Sequence, residues 1–257
     1  MKFNYIRSFA LSAFLIFTAV LFCRAQDTEK VFNDGVEAYA DGDYLMAIES
    51  WEKLISSAYS SAGLYYNLAN ANFKAGSLPG AILYYEKALL LKPFNEDIRY
   101  NLGIVRTYIS DDFETVPEIF FVKWIKMLSL IFSSNQWATA SLILFVLALL
   151  LVLFYLFSSR IRTKKISFLV GLIFLLFSIF SIFLSYTNHV ITEKRPYAII
   201  FSPTVTGKSS PDENGSDLFV IHEGTRVKVE DQIGEWIEVR LSDGNIGWIK
   251  LIDARKV

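Results

Sequence analysis

Two stretches of this chain leave little choice of environment. Trp137–Phe157 (WATASLILFVLALLLVLFYLF) and Ile166–Tyr186 (ISFLVGLIFLLFSIFSIFLSY) each run for 21 residues without a charged side chain. At ~1.5 Å of rise per residue each reaches ~31 Å as a helix, which matches a hydrocarbon core ~30 Å thick. The spacing therefore predicts transmembrane helices over 137–157 and 166–186. Between them, residues 158–165 (SSRIRTKK) carry Arg160, Arg162, Lys164 and Lys165 and no acid. A short, strongly basic loop stays in the cytoplasm. The two spans then form a hairpin whose ends both lie outside the cytoplasm.

The amino terminus agrees with that sidedness. Lys2 and Arg7 precede an apolar run from Ser8 to Cys23, and Ala25 stands at a cleavage position. A basic start, a short apolar stretch and a small residue before the cut describe a secretory signal peptide over 1–25. Cleavage ahead of Cys23 with lipid on its thiol is the rival reading. Phe22 stands there where a small residue is wanted. An uncleaved anchor helix is the other alternative. Residues 117–133 are also apolar, but Lys123 and Lys126 interrupt them, with Trp124 between. That pattern predicts an amphipathic helix lying in the membrane interface. A third span is the competing reading; it would carry both lysines into the bilayer and reverse the side of the amino-terminal region.

Residues 27–112 repeat themselves. Gly42 and Gly76, Ala47 and Ala81, Ile48 and Ile82, and Trp51 and Tyr85 each stand 34 residues apart, as do Glu52-Lys53 and Glu86-Lys87. The same step carries Tyr66-Asn67-Leu68 onto Tyr100-Asn101-Leu102. A 34-residue period, with small residues where helices cross and an aromatic four beyond the alanine, is the tetratricopeptide signature. Gly35 and Ala47 would let paired helices approach, with Trp51 or Tyr85 filling the space between. Gly42 and Gly76 suit turns that need a positive φ, and Pro93 ends the second repeat. Two repeats and a further helix from about Asn95 to Ser110 result, the last covering the open end of the stack. From Asp27 to Glu114 there are 14 acids and 7 bases, a net charge of −7. This suits either a basic partner or a plain solvated surface.

Tetratricopeptide arrays line their concave face with the first helix of each repeat, which here implies Phe32, Val36 and Tyr39, then Tyr66, Asn70 and Phe73, then Tyr100, Ile104 and Tyr108. Phe32, Tyr66 and Tyr100 occupy one equivalent position. Such an aromatic stripe is either core or a groove for an extended or helical peptide, with Asn70 bonding its backbone. Arrays that clamp a terminal carboxylate use lysines on these helices, and only Lys74 lies nearby.

From residue 194 to 257 the pattern changes to short β-rich runs divided by turn signals: YAIIF, LFVI, TRVKVED, EWIEVRL and IGWIKLI. Five short strands predict a small barrel, with Ser242-Asp243-Gly244-Asn245 as a hairpin turn. The wording HEGTRVKVEDQIGEWIEVRLSDGNIGWIKL resembles a bacterial SH3-like domain through its His-Glu-Gly-Thr turn, its Gly-x-Trp and its closing Gly247-Trp248-Ile249. Some such envelope domains bind wall peptides and many only dock proteins. Trp236 and Trp248 are the candidate surface residues, with barrel core as their alternative role. His222, at a turn entrance, reads as an ordinary exposed polar residue with no ligand partners in sight.

Composition narrows the chemistry. Formal net charge is −1 with no basic block outside the hairpin turn, which argues against nucleic-acid binding. Cys23 is the one cysteine, and His189 and His222 are the only histidines. Nucleophilic or zinc chemistry would have to be built almost without thiol or imidazole, and no cofactor, metal or catalytic residue is expected. GKS at Gly207–Ser209 lacks the earlier glycine of a phosphate loop, and DENGSD (212–217) has its glycine too early for a calcium loop. Neither span carries an ionisable residue, as ion transport would require.

The fold class expected is a multi-domain α+β membrane protein: a short α-solenoid, a two-helix transmembrane hairpin and a small SH3-like β-barrel. That order of parts resembles the tetratricopeptide membrane proteins of the bacterial aerotolerance (Bat) operons, the BatE-like family. The repeats DGDYLMAIESWEKLI and YYNLANANFKAGSLPGAILYYEKALLLKPFNEDIRYNL carry the likeness together with the GWI-type barrel. The resemblance implies membrane proteins with von Willebrand factor A domains and a MoxR-type AAA+ ATPase as partners. It places the chain in the bacterial inner membrane with both terminal modules on the periplasmic side. The expected role is a non-catalytic scaffold; binding or sensing of cell-wall peptide through the SH3-like domain is the alternative.

Overall fold

The computed structural model describes residues 28–111, 119–192 and 197–257. The signal peptide expected over 1–25, with Cys23, and the first two residues of the predicted interfacial helix lie outside them. The fold is mixed α and β: eight helices and one seven-stranded sheet among the described residues. The chain divides into two compact units. One holds α1–α5 together with residues 198–239 and 246–257; the other holds α6–α8 and residues 240–245.

In the first unit, α1 (28–40) and α2 (Tyr44–Ser56) form one helix pair, and α3 (Ala62–Lys74) and α4 (Leu78–Leu91) a second. A fifth helix, α5 (Glu96–Arg106), follows and is shorter than the sequence suggests, because the chain turns at Thr107 and Tyr108. Local chemistry sets these boundaries. Asp43, Ser61 and Asn95 each accept from a backbone N–H three residues on, at 3.0, 3.1 and 2.9 Å, which satisfies donors that the first turn leaves free. Pro79 sits in the first turn of α4, where no N–H is needed. Gly42 and Gly76 stand at φ +84° and +83° between paired helices, as their turns require.

Packing explains the small residues. A β-carbon added to Gly35 would stand 2.4 Å from Trp51 Nε1, so the indole fills space that only glycine leaves. The same indole donates to the Phe32 carbonyl at 3.0 Å. Ala47, Ala69, Ala71, Ala81 and Ala88 are fully buried, and Trp51 and Tyr85 nearly so.

The sheet runs β3 (Asp217–His222), β2 (Thr204–Lys208), β6 (Ile246–Lys250), β5 (Trp236–Arg240), β4 (Arg226–Ile233), β1 (Tyr197–Ile200), β7 (Ala254–Lys256), an open antiparallel order with β3 and β7 at its edges. Five strands are expected and seven form. β2 is Thr-Val-Thr-Gly-Lys inside a run of turn residues; it pairs because Gly207 lets the Phe219 ring lie where a β-carbon would be, 2.2 Å from Phe219 Cε2. β7 is three residues long and is held by pairing with β1. Ile199, Ile200, Ile221, Ile237, Val239 and Ile249 are the buried apolar layer.

The β segment packs on the helices within this unit. The turn between β3 and β4 reaches α4 and the end of α5. A β-carbon on Gly224, at φ +84°, would lie 3.2 Å from Ile82 Cδ1 and 3.3 Å from Ile109 Cγ1. Asp111 accepts from the His222 amide at 2.6 Å and from Thr225 Oγ1 at 2.5 Å, and lies 2.7 Å from His222 Nδ1. His222, an ordinary exposed residue by its sequence, is thus engaged in a contact within the chain. The partner is 111 positions away, beyond any local signal.

In the second unit, α7 (Ser134–Phe157) and α8 (Ile161–Thr192) are long and apolar enough to cross a membrane. Each extends past the stretch expected. A capping box between Ser133 and Gln136 starts α7 three residues early. The basic segment expected as a loop over 158–165 is mostly helical: α8 begins at Ile161, so Arg162, Lys164 and Lys165 ride on its first turns. The two helices meet through small residues. Ser141 Oγ lies 2.9 Å from Ser178 Oγ and bonds its carbonyl at 3.0 Å, and a β-carbon on Gly171 would sit 3.3 Å from Leu151 Cβ. Most of their large apolar side chains are exposed, while Leu184 is fully buried. Before them, α6 (Phe120–Ser129) has only ten residues; it is tied to α7 and α8 where Trp137 Nε1 and Asn188 Nδ2 both donate to the Ser129 carbonyl at 3.0 Å.

Gly35→Ala is expected to destabilise the chain by about 1–3 kcal/mol, the usual cost of overpacking, because its methyl must displace the Trp51 indole. Denaturant unfolding of the detergent-solubilised protein followed by tryptophan fluorescence measures this.

Candidate functional site: an aromatic face on the helical array

The candidate residues come from α1, α3, α5 and the turn after α5, all in the first unit. Trp51, deep between α1 and α2, organises the first group. Its ring lies 6.2 Å from Phe32 and 6.1 Å from Tyr39, and Tyr39 meets Tyr44 edge-on at 5.3 Å. Tyr39 and Asn70 line one cleft of about 110 Å³ together with Val36, Trp51 and Asn67. Asn70 accepts from the Tyr85 hydroxyl, which holds its amide toward the second helix pair.

The second group joins successive helices. Tyr66 packs 6.0 Å from Tyr85, and its hydroxyl accepts from Asn101 Nδ2 at 2.7 Å, linking α3 to α5. It lines a second cleft with Ala62, Lys92, Asn95 and Ile98. Phe73 meets Tyr108 at 5.7 Å. Phe32, half-buried, faces a third opening beside Tyr59 and Leu64. The three equivalent aromatics therefore differ. Phe32 and Tyr66 are half-buried between elements, whereas Tyr100 is 71% exposed. Tyr108 is 61% exposed. The structure brings Tyr39 near Asn70 and Phe73 near Tyr108, and it leaves Tyr100 standing alone. Lys74 closes α3 and is exposed.

Two of these phenols, Tyr39 and Tyr85, are shifted further toward the protonated form. Burial, then neighbouring Tyr44 and Tyr66, pushes the Tyr39 hydroxyl up. Burial does the same for Tyr85, helped by Tyr66 and Tyr39. The face thus offers neutral hydroxyls, amides and aromatic walls, which suit a peptide backbone and apolar side chains. Among the described residues no group of three or more His, Cys, Asp or Glu is placed to hold a metal ion.

Trp236 and Trp248 are half-exposed, each on the sheet face opposite the buried isoleucine that follows it. Lys250 Nζ lies 5.8 Å from the Trp236 ring. Two features escape sequence reasoning altogether. Tyr84 on α4 donates to Glu52 on α2 at 2.8 Å, which ties the helix pairs on the face away from the stripe. Glu86 on α4 pairs with Arg106 on α5 and lies 3.4 Å from Arg226 Nε of β4. The 34-residue repeat of Glu52 and Glu86 is the one signal that points to both. No family model matches the sequence, and no curated protein matches it significantly.

Burial opposes ionisation of Asp111, but hydrogen bonds from Thr225 and from the ring and amide of His222 overcome it and hold its carboxyl below the usual range. Its folded pKa is depressed, so its carboxylate contributes stability fully present above about pH 3.9 and lost as pH falls through the lower folded value. Wild type is expected to exceed Asp111→Asn in thermal stability at about pH 5, with the gap closing toward about pH 2. Melts across that range in detergent measure it.

Proposed function

We propose that the chain is a non-catalytic, membrane-anchored scaffold of the bacterial envelope. In this reading α1–α5 are tetratricopeptide repeats with a terminal helix, α7 and α8 are a transmembrane hairpin with its basic bend inside, and the β segment is SH3-like. The stripe on α1, α3 and α5 takes a segment of a partner protein. The observation that carries this is the state of that stripe: its inner members are fixed by packing, while Tyr100 and Tyr108 stand open at one end. Large aromatics such as tyrosine are enriched among the side chains that dominate protein–protein binding. The opposite face has no such freedom, because α4 is covered and Ile82, Tyr84 and Glu86 are buried.

α6 suits the interface. Phe120, Phe121, Trp124 and Met127 are exposed on a helix of about 15 Å, too short to span. By resemblance the setting is an aerotolerance or stress-related complex, with von Willebrand factor A-domain membrane proteins and a MoxR-type ATPase system as partners. A second reading, cell-wall peptide on the β segment, draws on the half-exposed Trp236 beside Lys250.

Retention of a von Willebrand factor A-domain membrane protein by the tagged full-length chain is expected to fall at least tenfold in Tyr100→Ala/Tyr108→Ala, the loss typical of hot-spot aromatics. Unchanged retention would reject the stripe. If Trp236→Ala instead abolished co-sedimentation of the full chain with purified wall, the second reading would replace it.

A further inference from the structure

Asp111 ends the described part of the helical array, and its carboxylate is nearly fully buried. Its oxygens are directed at a single turn of the β segment. Oδ2 takes the His222 amide and the Thr225 hydroxyl, and Oδ1 faces His222 Nδ1. One turn of chain later, Arg226 lies against Glu86, which also holds Arg106. Between the two acids, Gly224 brings bare backbone onto Ile82 and Ile109, where its positive φ and the 3.2 Å approach disfavour any other residue. Ile82 is 1% exposed. An array of two helix pairs and one helix is shorter than the three units such stacks usually need, and its apolar end requires a cover.

We infer that the His222–Arg226 turn is that cover: an intrachain ligand of the helical array, clasped through Asp111 and Glu86, which makes the array and the β segment one thermodynamic unit. The clasp has a consequence for topology, which rests on the reading of α7 and α8 as spans. Residues 111 and 222 in hydrogen-bond contact occupy one compartment, so the chain between them crosses the bilayer an even number of times. Two crossings by α7 and α8 satisfy this, and α6 cannot be a third. This parity holds whatever the charge of the basic bend.

Hydrogen exchange on the full-length chain in detergent tests the clasp. Asp111→Ala removes both oxygens that His222 and Thr225 use and leaves only the Glu86 contact to the turn, so peptides covering 218–228 and 80–88 should lose protection together, about tenfold or more. Asp111→Asn, which keeps one oxygen, should fall between Asp111→Ala and wild type. Thr225→Val approaches the same contact from the β side and should reproduce the coupled loss in part. Unchanged exchange in either segment with all three variants overturns the clasp. So does loss confined to one segment.

Sidedness is read separately in Cys23→Ser cells carrying Ser60→Cys, Ser216→Cys or Thr163→Cys. An impermeant thiol reagent should reach positions 60 and 216 alike and spare 163 until the cells are opened. Labelling of 60 and 216 from opposite sides overturns the shared compartment. Recovery of the chain in the aqueous fraction without detergent would remove the membrane reading while leaving the exchange result to stand by itself.

Discussion

One carboxylate organises the relation between the first and last thirds of this chain. Asp111 meets three donors from a single turn, and none of them lies within a hundred residues of it in sequence. A buried carboxylate without such donors would cost several kcal/mol in desolvation; with them it stays ionised and fixes where the turn must sit. The neighbouring contacts depend on that placement. Gly224 reaches Ile82 and Ile109 only because the turn is drawn down onto the helices, and Arg226 meets Glu86 for the same reason.

The helical array itself is built on a division of labour between its two faces. Second helices carry Ala47, Ala81 and Ala88 and the Trp51 and Tyr85 wedges, and α4 buries most of its length. First helices keep aromatic and amide groups that pack only partly. Hydroxyl-to-amide bonds, Tyr85 to Asn70 and Asn101 to Tyr66, hold successive elements in register without closing the face. A surface arranged in this way is rigid before any ligand arrives, which lowers the ordering cost of binding.

Much of this was legible beforehand, and for identifiable reasons. A 34-residue step places α1–α5 because each helix pair obeys local rules that recur. The glycine–tryptophan contact followed from size alone. The long apolar helices were legible from charge, although their ends were not. α8 swallows three of the four basic residues of the bend, since lysine and arginine are good helix formers and nothing there stops the helix. β2 and β7 were hidden, one by turn residues and one by brevity; both exist only through their pairing partners. His222 and Asp111 were illegible for the same reason on a larger scale. Neither has a local pattern, and each is explained solely by the other. Tyr84 with Glu52, 32 residues apart, belongs to this class as well.

The Ser141–Ser178 and Ser134–Ser185 contacts pair serines across the α7–α8 seam, and most of the large apolar side chains of that pair are exposed. Taken with the Asp111 contact, this changes how the architecture is best pictured. The first unit is a compact body whose chain is interrupted in sequence by an excursion over 113–197. Closing a loop of that length costs little more than closing one half as long. A body of this kind tolerates the excursion for the same reason that compact folds accept insertions where their own chain comes close to itself.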